Sequence, residues 1–251
     1  MLHQPLFDQL RTLRLPGMAA ALEHQLATPD AAALPFEDRL ALLLQHEAHE
    51  RKAQKLGQRL RWAKLSQSAC LEDLDTRTPR GLQKMALAQI TDLGWIREHL
   101  NVLICGPTGV GKSWIACAIG QAACRVDHSV RFYRMPRLID ELARATAMNN
   151  RSSFFRGLAK VDLLVLDDFG LAPLTEATRR DLLEILDDRY DKQSTLITSQ
   201  LPVEQWHAYL GDPTLADAIL DRLVHNSYRL SLTAESMRKR RSTKIAAAAA
   251  D

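Results

Sequence analysis

Residues 106–113 read Gly106-Pro107-Thr108-Gly109-Val110-Gly111-Lys112-Ser113, the spacing G-x-x-x-x-G-K-[ST]. That spacing is what a phosphate-cradling loop requires. Glycine lets the backbone turn so that successive N–H groups converge on phosphate oxygens, and a helix starting there adds partial positive charge from its N-terminus. Lys112 is placed to reach the β- and γ-phosphates of ATP, and Ser113 to put its hydroxyl on Mg²⁺. The motif has meaning only between a strand and a helix. Both are predicted: an apolar run at 101–105 (NVLIC) enters the loop, and a helix-like stretch at 113–124 leaves it.

Two carboxylates, Asp167 and Asp168, end a second apolar run, DLLVLDD. The carboxyl ends of parallel strands line the ligand crevice of such sheets. Asp167 is assigned to the metal, through water, and Asp168 to orienting or deprotonating the attacking water. Aspartate is one methylene shorter than the glutamate usual at the water position in related ATPases, so slow turnover is expected. The next strand ends in Thr198-Ser199-Gln200. Ser199 and Gln200 are both candidates to touch the γ-phosphate or the water from the side opposite Lys112. Arg222, in Ile219-Leu220-Asp221-Arg222-Leu223, closes a helix ahead of the last strand. There it either pairs with Asp217 or Asp221 on its own helix or reaches the γ-phosphate of a neighbouring subunit, a role that contributes ~10³–10⁵ in turnover.

These groups need an α/β scaffold, and the pattern of the chain supplies one. Strands are predicted at 101–105, 129–134, 162–168, 194–199 and 228–232. Helices are predicted at 113–124, 136–147, 175–190, 203–210 and 215–225. Repeated strand–helix units imply a parallel sheet with helices on both faces. Before it the sequence reads as helical: 6–15, stopped by Pro16-Gly17, then 18–27, a long helix at 36–65, and 81–93. The expected organisation is a small all-α N-terminal domain (1–65), an acidic, Pro79-containing linker (66–80), the ATPase domain (81–237) and a basic, disordered tail (238–251).

On the long helix Arg51, Lys52, Lys55 and Arg59 fall on one arc at ~100° per residue, with Trp62 joining them. Ala53, Leu56, Leu60 and Ala63 fall on the adjoining arc, and no acidic residue occurs from 51 to 64. A basic stripe beside an apolar one suits DNA phosphates on one side and protein on the other, although a plain solvated face has the same look. A second cluster, Arg238-Lys239-Arg240-Arg241 with Lys244, lies in the tail. No helix-turn-helix or zinc finger is present, so any binding to duplex DNA is set by charge and shape and weakened by salt.

Composition sets the remaining limits. The chain has 251 residues, a net charge of +3, 46% hydrophobic and 25% charged residues, the balance of a soluble globular protein. There is no run long enough to span a bilayer and no secretory leader, so a cytoplasmic location is expected. Cys70, Cys105, Cys117 and Cys124 form no CxxC pair and read as buried thiols.

The whole pattern resembles the IstB-like ATPases, transposition helper proteins of bacterial insertion sequences, close to the DnaC helicase-loader branch of AAA+ proteins. The resemblance covers nearly the whole chain: LRLPGM from residue 13, the loop at 101–113, DLLVLDDFGLAP from 162, RRDLLEILDDRY from 179, ITSQLPVEQW from 197 and ESMRK from 235. Its most specific part is GDPTLADAILDRLVHNS from 211. It implies self-assembly as a homo-oligomer on DNA under ATP, cooperation with a cognate transposase, and Arg222 as the arginine finger. It also implies little or no lid domain, with Arg238 a weak candidate for sensing nucleotide. Two other classes compete. A DnaC-like replicative helicase loader would share the ATPase motifs and bind a ring helicase with its N-terminal domain. A small-molecule P-loop kinase would need an Arg-rich lid, which the sequence lacks.

Overall fold

The computed structural model describes residues 4–79 and 81–233, leaving aside the side chains of 30 and 32. The chain divides into two compact units between Arg59 and Leu60.

The first unit is helical: α1 (Gln4–Thr12), α2 (Pro16–Ala27) and most of α3 (Phe36–Ala63). Pro16 was expected to end a helix; it instead opens α2, since a proline in the first turn lacks only an N–H that has no helical partner anyway. Gly17 is required by proximity: a Cβ there would lie 2.8 Å from Glu47 Cα. Glu47, 5% exposed, accepts from Met18 N at 3.1 Å and from Arg51 Nε at 2.6 Å, fastening α2 to α3.

The second unit begins inside the last turns of α3. Residues 66–79, expected as a linker, lie on the core. Leu65 packs over Gly120, where a Cβ would meet it at 2.9 Å, and Ser66 Oγ lies 3.3 Å from Cys117 Sγ. Ala69 is buried and Arg125 donates to Glu72. Apolar residues scattered through a polar segment have no helical or strand period, so this packing has no signature in the pattern. The expected helix at 81–93 is shorter, α4 (Lys84–Thr91), and a left-handed Leu93 leads into α5 (Gly94–Arg97), whose buried Trp95 donates Nε1 to Ile90 O at 2.8 Å.

From there strands and helices alternate: β1 (Asn101–Cys105), α6 (Lys112–Arg125), β2 (Val130–Arg134), α7 (Met135–Ala147), α8 (Arg151–Ala159), β3 (Leu163–Phe169), α9 (Glu176–Arg189), β4 (Ser194–Ser199), α10 (Trp206–Leu210), α11 (Pro213–Val224) and β5 (Ser227–Ser231). The five strands form one sheet in the order β2-β3-β4-β1-β5, every pair parallel. The crossover from β1 passes β4 and β3 to reach β2, with α6 on one face and the returning helices on the other, as expected of right-handed parallel crossovers. Alternation along the strands follows. Leu103, Tyr133, Leu164, Leu166 and Ile197 join the core of α7 to α11, while Val130 faces α6. The end of β3 is set by aromatic packing. Phe169 lies 4.7 Å from Trp206 and 5.3 Å from Tyr209, ring centre to ring centre, contacts worth about 0.5–1.5 kcal/mol each beyond burial. Among the described residues no helix is long and apolar enough to cross a membrane.

Candidate functional site

The loop 106–111 joins the end of β1 to the start of α6. Gly106, Gly109 and Gly111 have φ of 152°, 85° and 100°, a backbone few side chains tolerate. Gly106 is also confined by space, since a Cβ there would lie 2.4 Å from Leu232 O. Gly111 precedes α6 and no side chain caps that helix. Its first N–H groups therefore remain available to an anion, aided by the helix dipole. Lys112 is 6% exposed and donates Nζ to Gly106 O at 2.7 Å and Pro107 O at 2.9 Å. Burial lowers its pKa below the usual lysine value, against the pull of Asp168 and Asp167.

Asp167 is 2% exposed, at the carboxyl end of β3. Its Oδ1 accepts from Ser113 Oγ at 2.7 Å and from Thr198 Oγ1 at 2.5 Å. Burial raises its pKa, with both hydroxyls acting in the opposite sense. Ser113, Asp167 and Thr198 thus bring three hard oxygen donors together from α6, β3 and β4, the donor chemistry that suits Mg²⁺. The glycine cradle and the uncapped helix suit a triphosphate.

Asp168 sits in a β-bulge. The β3–β4 register passes from Leu166↔Ile197 to Phe169↔Ser199, one residue more on β3 than on β4. Asp168 takes the left-handed conformation, φ 61°, and its carboxylate accepts from Arg134 Nε at 3.0 Å and Nη2 at 2.7 Å. Bulges of this kind re-aim side chains beside active sites. Arg134 ends β2 opposite Asp167, so register alone delivers it.

Of the two residues expected opposite Lys112, Gln200 lies at the loop, where its Oε1 accepts from Thr108 Oγ1 at 2.7 Å. Ser199 points to the other face of the sheet: its Oγ donates to Phe169 O at 2.7 Å and accepts from Leu201 N at 3.0 Å. The residue of β4 that faces Asp167 is Thr198. Sequence reasoning passed over Thr198 and Arg134; a hydroxyl directly after the apolar pair Leu196-Ile197 was the signal for the first, and there was none for the second.

Arg222 is far from this group. Asn101, the first residue of β1, donates Nδ2 to Arg222 O at 2.9 Å. The loop begins at the other end of β1, roughly 13–15 Å away at ~3.3 Å per residue. The Arg222 guanidinium pairs with Asp187 on α9, with Asp221 at 4.0 Å. On α3, Lys52 and Lys55 are exposed and Arg59 half-buried, whereas Arg51 is held by Glu47 and by Arg14 O. Arg238 and the basic tail lie outside the described residues.

Residues 8–245 match the family described as IstB-like ATP binding protein. A Sinorhizobium fredii protein named as an insertion sequence ATP-binding protein, y4pL, is 49% identical over 95% of this chain and 98% of its own. The ATP-binding protein named for insertion sequence IS21 of Pseudomonas aeruginosa is 31% identical over 91% of this chain and 86% of its own. Among solved structures, DnaI superposes with a TM-score of 0.58 at 22% identity, covering 70% of this chain and 93% of DnaI. The DnaC helicase loader superposes with a TM-score of 0.50 at 21% identity, covering 62% of this chain and 94% of DnaC. At those identities the two structures speak for the fold, an AAA+ core, while the family match and the long-range identity speak for descent: the chain belongs to the IstB-like ATP-binding proteins of insertion sequences.

Proposed function

We propose that this chain is a Mg²⁺-dependent ATPase that assembles with copies of itself on duplex DNA and assists a partner transposase in choosing or presenting target DNA. The observation that carries the proposal is the separation within one chain. Phosphate-binding, metal-binding and water-orienting groups converge at the carboxyl edge of the sheet, while Arg222 is fixed to the opposite edge by Asn101. A positive group so placed serves a neighbour's site, and a ring or filament of head-to-tail subunits supplies that neighbour.

At each site the N–H groups of Thr108 to Ser113 and the Lys112 ammonium hold the phosphates. Ser113 and Asp167 would hold Mg²⁺, with Thr198 fixing the carboxylate. Mg²⁺ bound there would supply positive charge against the negative charge of the phosphates. Asp168, oriented by Arg134, holds the water whose oxygen bonds to the γ-phosphorus as the β–γ bridging P–O bond breaks. The water's proton leaves by way of Asp168, and ADP and phosphate are released. Lys52, Lys55 and Arg59 face DNA phosphates. The relatives named for insertion sequences favour transposition over helicase loading, since likeness to the loaders rests on fold alone.

Sedimentation of the purified chain with long duplex DNA tests this reading, comparing no nucleotide, ADP and a non-hydrolysable ATP analogue. Large assemblies are expected only with DNA and the analogue together. A monomer in all three conditions overturns it.

A further inference from the structure

The backbone at Arg222 has little freedom. Asp212 caps the start of α11 by accepting from Leu215 N at 2.9 Å. At the other end Asn101, 7% exposed, donates to Arg222 O, and its Oδ1 accepts from Thr195 N at 2.9 Å, tying α11 to β1 and β4 at once. The place of the guanidinium then depends on the side-chain torsions of Arg222. Asp187, in the last turn of α9, accepts from Nε, and Ala218 O accepts from Nη1 at 2.8 Å. The two hydrogen bonds fall on Nε and on one of the two terminal nitrogens, Nη1.

We infer that Asp187 is a positioning residue for Arg222, holding the guanidinium by Nε so that Nη2 is presented to the γ-phosphate of a neighbouring subunit. This rests on the reading of Arg222 as an arginine acting in trans. A free arginine loses much rotamer freedom when it docks on a phosphate; one already held loses less. A latch that withholds Arg222 is a poorer account. The Arg222 and Asp187 side chains are 29% and 45% exposed, and ion pairs this wet are weak. Such a pair narrows the rotamers of Arg222 yet does not compete with a multiply charged phosphate.

The test is steady-state ATP turnover of the full chain with DNA, for Asp187→Ala, Asp187→Asn, Arg222→Ala and the Asp187→Ala/Arg222→Ala double variant. Asp187→Ala is expected to lower kcat about tenfold and leave KM for ATP within about twofold. Asp187→Asn recovers most of the loss, because its side-chain oxygen still accepts from Nε. The double variant is no slower than Arg222→Ala, since there is then nothing to position. Thermal melts confirm folding, and Asp187→Ser replaces the alanine variant if that one melts early. Unchanged or raised kcat in Asp187→Ala, beside an inactive Arg222→Ala, overturns the positioning role alone. Full turnover in Arg222→Ala removes the trans reading and this inference with it.

Discussion

Cys105 stands directly before Gly106, at the end of the strand that delivers the phosphate loop, and burial with the nearby Glu204 pushes its thiol from 9.0 up to about 11. The thiolate is the nucleophile, so a shift of that size slows alkylation at pH 8 by about a hundredfold relative to an ordinary thiol. Half-exposed Cys70 is therefore expected to react with iodoacetamide at pH 8 while Cys105 stays unmodified. Peptide mass spectrometry reads the result, and rapid labelling of Cys105 at that pH contradicts the packing behind the loop. The sign for stability follows. Between pH 9 and about 11 the unfolded chain loses this proton and the folded chain keeps it, so the thiol withdraws stability as pH rises through that window. Residue-level legibility was uneven for similar reasons. The loop motif was readable because its chemistry lies in consecutive residues. Thr198 was passed over for Ser199 and Gln200, because which residue of that strand end faces Asp167 depends on a register that contains a bulge near the end of the neighbouring strand.

The elements are held in place by a few buried polar ties, of which Arg189 is the most demanding. It is 1% exposed in the last turn of α9 and donates to Leu158 O, Val161 O, Ser194 O and Thr195 Oγ1, joining α8, the approach to β3 and the start of β4. Arg189→Leu keeps the apolar bulk and strands three backbone acceptors. The expected loss is about 3–5 kcal/mol, or a melting temperature lower by roughly 10 °C in a domain of this size. Thermal unfolding of the full chain checks it, and a melt within a degree or two of the wild type would show that water serves those carbonyls instead. Arg189 also marks where pattern reading stops. The strands and long helices of the second unit were legible from apolar periods. Segment 151–159, with only Phe155 and Leu158 buried, was not recognised as α8. Residues 66–79 looked like a linker because their contacts with α6 come from isolated side chains.

At the scale of the whole molecule the proposed function puts complementary halves of one catalytic site at the two edges of the sheet, which makes a sharp prediction for mixed assemblies. Asp168→Asn keeps the phosphate loop and its own Arg222, so it is expected to bind ATP and assemble yet turn over ~10²–10⁴ more slowly. Arg222→Ala keeps every group at the loop and lacks the group offered to its neighbour. Each is nearly inactive alone. In an equimolar mixture with random order, about a quarter of junctions place an Arg222→Ala loop beside an Asp168→Asn neighbour, and those junctions are complete. ATP turnover on duplex DNA should then rise to roughly a quarter of the wild-type rate if junctions act independently. The rise should vanish at dilutions or salt concentrations that dissolve the DNA-bound assembly, because screening weakens phosphate contacts of the kind proposed for Lys52, Lys55 and Arg59. A mixture no faster than the mean of its two components places the action of Arg222 within its own chain. The 13–15 Å along β1 argues against that, because no rotamer change covers such a span while Asn101 pins the backbone.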